Sequence, residues 1–195
     1  MASKAGCRSV LGPGDEARAP PRGARLLGVP RSDFELIFEE LNRGSVRYLV
    51  AGGVAVVLHG HPRFTADLDL IVGLEPENAL AAVGALARLG YRPRAPVPAE
   101  AFADPVQRAE WARERGMAVF SLWSPEHPVT EVDLFVDPPI PFAEAYGRAT
   151  WADLGGLRVA VASIEDLIDL KQRAGRPKDL EDIRLLRTFQ ESGDG

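Results

Sequence analysis

Asp67 and Asp69 stand two residues apart in the stretch HPRFTADLDLIV, which runs from His61 to Val72. Leu68, Leu70, Ile71 and Val72 are strand formers, whereas Asp is depleted from strands, and a buried unpaired carboxylate is costly. Side chains two apart on a strand share a face, with their Cα atoms roughly 7 Å apart. Both carboxylates therefore face one spot beside the sheet. An all-oxygen, negatively charged cluster of this kind suits Mg²⁺, which takes one or two carboxylates together with phosphate oxygens. A bound cation would also relieve the repulsion between the two acids. The same pair is compatible with a strand end where both acids face water. Upstream, Gly52 and Gly53 close one strand and open a helix. Two glycines there let a phosphate approach the backbone N–H groups, although a tight strand-to-helix turn needs glycine too. Downstream, Asp133 lies in the apolar run TEVDLFVD with Glu131 on its face. If that strand neighbours the Asp67 strand, three acids meet.

The whole stretch LVAGGVAVVLHGHPRFTADLDLIV resembles the signature of the DNA-polymerase-β-type nucleotidyltransferase superfamily, a Gly-Gly or Gly-Ser turn followed by D-x-D. It is most similar to the small bacterial branch that includes AbiEii-like toxins and minimal nucleotidyltransferases. The tail SIEDLIDLKQRAGRPKDLEDIRLL carries further marks of that branch, a Lys in one helix and an R-P-K-D turn into the next. The resemblance covers about Tyr48 to Leu186. It implies that Gly52 and Gly53 hold a triphosphate, that Asp67 and Asp69 ligate metal, and that Asp133 is the third acid, directed at the attacking hydroxyl. Mg²⁺ or Mn²⁺ is the implied cofactor. Position 53 departs from the Gly-Ser form, which removes one side-chain contact to phosphate. Lys171, Arg176 and Lys178 bracket Pro177 and are expected to neutralise the triphosphate and the leaving pyrophosphate; the alternative is a solvated helix end. Arg63 and Thr65, just ahead of the acidic strand, are further candidates for phosphate contact. His59 and His61 form a His-x-His in a turn, more in keeping with a surface than with a metal site. Trp111, Trp123 and Trp151 are expected in the core or at an interface.

These residues need a scaffold. Ser32 and Glu35 form a capping box ahead of Phe34, Ile37, Phe38 and Leu41 at helical spacing, with Gly44 as the stop. Arg47 to Ala51 reads as a buried strand, Val54 to His59 as a short helix and Ala66 to Val72 as the acidic strand. Pro76 opens an apolar helix that Gly90 ends. Residues 92–104 read as a loop, and Pro105 to Arg115 as a surface helix. Met117 to Trp123, Val129 to Val136 and Leu157 to Val161 read as strands. Ser163 caps a helix running to about Ala174, and a last helix runs from about Lys178 to Phe189. The expected class is α+β, a nucleotidyltransferase fold with a small mixed sheet flanked by helices and a C-terminal helical pair.

The 195 residues suffice for one domain. Residues 1–30, rich in Gly, Pro, Ala and Arg, are expected to be a disordered basic tail, with residues 31–195 forming a single domain. The first 31 residues carry six basic and two acidic side chains, leaving 17 basic and 26 acidic in the remainder. So acidic a remainder is no sequence-independent nucleic-acid binder and must use a local basic patch or bound cations. One cysteine excludes a disulfide framework, and no apolar run is long enough for a membrane span. The chain is expected in the cytoplasm, without membrane partners. The first functional reading is transfer of a nucleoside monophosphate from a nucleoside triphosphate to a hydroxyl. Resemblance suggests an RNA 3′ end (tRNA) or a protein side chain as acceptor, a small antibiotic as a third option, and a cognate antitoxin or toxin partner. The rival reading is a catalytically silent nucleotide-binding or interaction module of the same fold.

Overall fold

The computed structural model of the protein describes residues 32–193; the expected basic tail lies outside the described residues. Helix α1 (Asp33–Arg43) starts where its capping box requires: the Glu35 amide donates to Ser32 Oγ at 3.3 Å and the Ser32 amide to Glu35 Oε2 at 2.8 Å. Next come β1 (Tyr48–Val50), α2 (Gly52–Leu58), β2 (Asp67–Val72) and α3 (Pro76–Arg88). They are followed by β3 (Arg92–Pro93), a 3-10 turn (Ala99–Ala103), α4 (Pro105–Arg115), β4 (Val119–Trp123) and β5 (Glu131–Phe135). The chain continues through α5 (Phe142–Gly147), β6 (Thr150–Asp153), β7 (Arg158–Val161), α6 (Ile164–Ala174) and α7 (Pro177–Gly193).

All seven strands join one sheet in the order β3-β4-β5-β2-β1-β7-β6. It is mixed, with β2–β5 and β1–β7 parallel and the other pairs antiparallel, so the class is α+β as expected. Strand alternation divides the core. Tyr48, Val50, Leu68, Leu70, Val72, Phe120, Leu122, Val132 and Leu134 belong to the main cluster, together with Phe38 and Leu41 of α1 and Val83 and Leu86 of α3. The opposite face has a smaller cluster of Leu49, Ala51, Ile71 and Ala160, packed with Phe142 and Tyr146 of α5 and Leu170 of α6. Asp67 and Asp69 share parity with Ile71, so they lie on this second face, beyond its apolar patch.

Three readings need correction. Residues 92–104 are not all loop, since Arg92–Pro93 pairs with β4 and Ala99–Ala103 makes a 3-10 turn that buries Phe102. Pro105–Arg115 is not simply a surface helix: Trp111 is buried and stacks on Phe120 at 5.2 Å, and Arg108 donates to the carbonyl of Leu74 at 3.1 Å. Finally, β6 was not foreseen. It is an edge strand with three of four residues exposed, and so lacks an apolar signal.

Candidate active site

Parallel pairing of β2 with β5 sets Asp69 directly beside Asp133 and Asp67 beside Glu131. Directly paired residues face the same way, so the four acids share one face. Asp69 is half-buried between the sheet and the turn into α2. Burial, then the charges of Asp133 and Asp67, push its carboxyl up to about 6, against the opposing pull of Arg176 and Lys171. Asp133 is raised as well, chiefly by burial, against the opposing pull of the Ser121 hydroxyl. Its Oδ1 is buried and has no hydrogen-bond partner among the described residues. Asp67 is exposed at the end of the strand. Glu131 is neutralised by Arg94, whose Nε and Nη2 donate to its two oxygens at 2.6 and 2.7 Å.

No three His, Cys, Asp or Glu side chains form a metal-holding group among the described residues. What the fold assembles is the Asp69–Asp133 pair with Asp67 at its rim. Two hard oxygen donors, a raised carboxyl and an orphaned carboxylate oxygen fit a divalent cation that completes its shell with substrate phosphate oxygens. His59 is used elsewhere, its Nε2 lying 2.9 Å from the carbonyl oxygen of Ala162.

The two glycines meet different neighbours. Gly52 has φ +59°, and a Cβ there would lie 1.8 Å from Asp69 Oδ2, so only glycine lets the carboxylate sit against the turn. The Ala51 amide donates to the carbonyl of Asp69 at 2.9 Å, fixing turn and strand together. A Cβ on Gly53 would lie 2.7 Å from Thr65 Oγ1 and 3.5 Å from an Arg63 guanidinium nitrogen. The Thr65 hydroxyl thus occupies the space that a serine side chain at position 53 would need. Thr65, Arg63, Phe34, Val54 and Val57 help line a cavity of about 300 Å³ that none of the three Asp residues borders.

The basic candidates are less free than their sequence positions suggest. Lys171 is buried, with Nζ 2.6 Å from Asp182 Oδ2 and 3.7 Å from Asp179 Oδ1. Arg63 Nη1 donates to both oxygens of Asp182 at 2.7 and 2.6 Å. Arg176, at the cap of α7, donates from its backbone amide and its Nε to Asp179 Oδ2 at 3.1 and 2.8 Å. Lys178 is exposed beside it. Burial acts to raise both carboxyls, but the hydrogen bonds from Lys171 and Arg63 hold Asp182 below its ordinary value, as those from Arg176 hold Asp179. Asp179 and Asp182, absent from the sequence-based candidates, therefore tie α7 to α6 and to the loop ahead of β2. Their spacing of three, which puts both on one helix face, was the available signal.

The family model described as nucleotidyl transferase AbiEii toxin, type IV TA system, matches residues 40–194. No curated protein matches the chain. Among solved structures, ANT(2")-Ia in complex with adenylyl-2"-tobramycin superposes with a TM-score of 0.52 at 18% identity, over 83% of this chain and 89% of that one. The lincosamide antibiotic adenylyltransferase LnuA, lincomycin-bound, does so with a TM-score of 0.53 at 17% identity, over 81% of this chain and 98% of that one. At such identities the likeness establishes the fold.

Proposed function

Because the chain belongs to the AbiEii nucleotidyltransferase family, we propose that it moves a nucleoside monophosphate from a nucleoside triphosphate to a hydroxyl on an RNA 3′ end or a protein side chain. A cognate toxin–antitoxin partner and Mg²⁺ or Mn²⁺ belong to the same reading. The observation that carries it is the in-register Asp69–Asp133 pair, with the buried, partnerless Oδ1 of Asp133. A divalent cation held by Asp69 and Asp133, with Asp67 at the rim, would supply positive charge to the phosphate oxygens and to the attacking oxygen.

The chain's own groups do the rest. Gly52 and Gly53 present the first amides of α2, which have no intrahelical partner, to the triphosphate, and the Thr65 hydroxyl stands beside them. The acceptor hydroxyl attacks the α-phosphorus; its oxygen bonds to phosphorus as the bond to the β-phosphate oxygen breaks and pyrophosphate leaves. Asp133 accepts the hydrogen bond of the attacking hydroxyl, orients it and takes its proton as the oxygen bonds to phosphorus. Arg176 and Lys171, whose charges already act on Asp69, oppose the negative charge that builds on the leaving group. Arg63 and Lys178 extend that positive rim, with Asp182 holding Arg63 in place.

The test supplies each of the four α-labelled triphosphates with Mg²⁺ or Mn²⁺, offering RNA and cell lysate as acceptors. Label should pass to a macromolecule with release of pyrophosphate, and Asp69→Asn and Asp133→Asn should abolish both. Turnover that persists undiminished in both variants, or none with any triphosphate in the wild type, would refute the proposal.

A further inference from the structure

The acid-bearing face continues past the carboxylates. Register places Ser121 of β4 opposite Asp133 and Arg92 of β3 opposite Trp123, while Arg94 bonds through its amide to the Ser121 carbonyl. The alternate residues Phe120, Leu122, Val132 and Leu134 are sealed in the core, whereas Ser121, Trp123, Glu131 and Asp133 are only half-buried. This face is therefore accessible from the acids to the sheet edge. The two arginines at that edge differ. Arg94 is committed to Glu131 through two hydrogen bonds. Arg92 is exposed and makes no ion pair among the described residues, and its guanidinium carbon lies 4.7 Å from the centroid of the Trp123 ring. The Arg92 guanidinium thus sits over the Trp123 ring, with its charge unpaired among the described residues.

We propose that this strip, Arg92 stacked on Trp123 with Arg94 alongside, is the acceptor subsite and takes the terminal nucleotide of a single-stranded RNA. The assignment rests on the nucleotidyltransferase reading above and deepens it. Gly52, Arg63 and Arg176 lie on the Asp69 side of the carboxylate pair, where the triphosphate belongs. The strip lies on the Asp133 side, one to two strand spacings across and two residues along from Asp133, or roughly 8–12 Å between Cα atoms. An acceptor held there brings its terminal hydroxyl to Asp133 without crossing the triphosphate. The chemistry selects among acceptors. A planar guanidinium with an unpaired charge stacks an unpaired base and attracts phosphate. A serine or tyrosine hydroxyl of a protein has no phosphate for that charge to bind, and an amine-rich small molecule would be repelled by it.

The probe is a labelled single-stranded oligoribonucleotide, followed by fluorescence anisotropy without triphosphate, so that the readout does not depend on turnover. Arg92→Ala should weaken binding about tenfold, the worth of one stacked base, and Arg92→Lys, which keeps the charge but not the plane, should recover only part of it. Arg158→Ala is the control, because Arg158 stacks on Trp151 at the same 4.7 Å but on the opposite edge of the sheet; its binding should match wild type. In transfer assays Arg92→Ala should raise KM for RNA while the affinity for triphosphate, read by titration, stays at the wild-type value. The proposal is overturned if wild type binds no oligoribonucleotide, if Arg92→Ala binds it like wild type, if Arg158→Ala weakens it equally, or if label passes to protein alone. RNA binding with the expected pattern, but no transfer from any triphosphate, would instead refute the enzymatic reading and leave the strip as an RNA site.

Discussion

Asp69→Asn in the metal-free protein should stabilise the fold, and only above a definable pH. The fold lifts the Asp69 carboxyl from an ordinary value of 3.8 to about 6. Between those two values the folded chain keeps a proton that the unfolded chain has released, so stability falls as pH rises through this window and levels off above it. The gap corresponds to about 3 kcal/mol. Asparagine has nearly the same shape and no charge to bury beside Asp133, so it should recover most of that. For a chain of this size 1 kcal/mol moves Tm by about 2–4 °C, which gives a rise of about 5–10 °C at pH 8 in EDTA. At pH 3.5, where wild-type Asp69 is protonated in the folded state and mostly so in the unfolded one, the two proteins should melt within about 1 °C of each other. Differential scanning calorimetry from pH 3.5 to 8 reads this directly. A variant less stable than wild type at pH 8, or one stabilised equally at both ends of the range, would show that Asp69 is not held against its own charge. Added Mg²⁺ should raise Tm for wild type and much less for the variant.

Gly52→Ala should cost about 1–2 kcal/mol from its left-handed backbone alone, and more because its Cβ meets Asp69 Oδ2; chemical denaturation measures the loss, and transfer should disappear with it. Gly53→Ser and Thr65→Ala should each lower the affinity for triphosphate. Because the two side chains compete for one space, the double variant should bind better than either single one by calorimetric titration; strictly additive losses would refute the substitution of one hydroxyl for the other. Asp182→Asn should destabilise by about 3 kcal/mol at neutral pH by leaving Lys171 and Arg63 short of charge. Because Asp182 is held below its ordinary value, that loss should shrink as pH falls through the folded-state pKa, the opposite trend to Asp69→Asn.

Much of the scaffold was legible because its local signals are chemically specific. Ser32 with Glu35 and Ser163 with Asp166 each place a helix start to the residue, since the hydroxyl must accept from the amide three positions on. The shared face of the acids on β2 and β5 was legible for a similar reason: the period of two along a strand fixes which side each carboxylate takes. The elements that escaped lack such signals. Thr150–Asp153 is exposed, and Phe142–Gly147 is a six-residue helix without a side-chain cap. Asp179 and Asp182 escaped because acids near the start of a helix read as its solvent face. Asp182 pairs with Arg63, 119 positions away, and no local pattern encodes that pairing.

Lys171 shows how that long-range pairing changes a residue's chemistry. An exposed lysine near a break between helices would neutralise a triphosphate by direct contact. Buried between Asp179 and Asp182, it forms a chain of alternating charges running from Arg63 through Asp182, Lys171 and Asp179 to Arg176. Both ends of the chain lie near the candidate site: Arg63 beside the Gly53 turn, and Arg176 close enough to Asp69 to lower its carboxyl. Its centre is buried, Asp182, Lys171 and Asp179 being almost fully covered while the two arginines reach toward solvent, so moving a central member leaves its neighbour's charge unpaired in a medium of low polarity. Its effect is to fix two guanidinium groups relative to Asp69 before any substrate arrives, so that charge neutralisation requires little rearrangement during transfer. The like charges of Asp69 and Asp133 persist on neighbouring strands because Gly52 leaves room for one carboxylate, Arg176 and Lys171 act on Asp69, and Ser121 and Arg94 act in the same direction on Asp133.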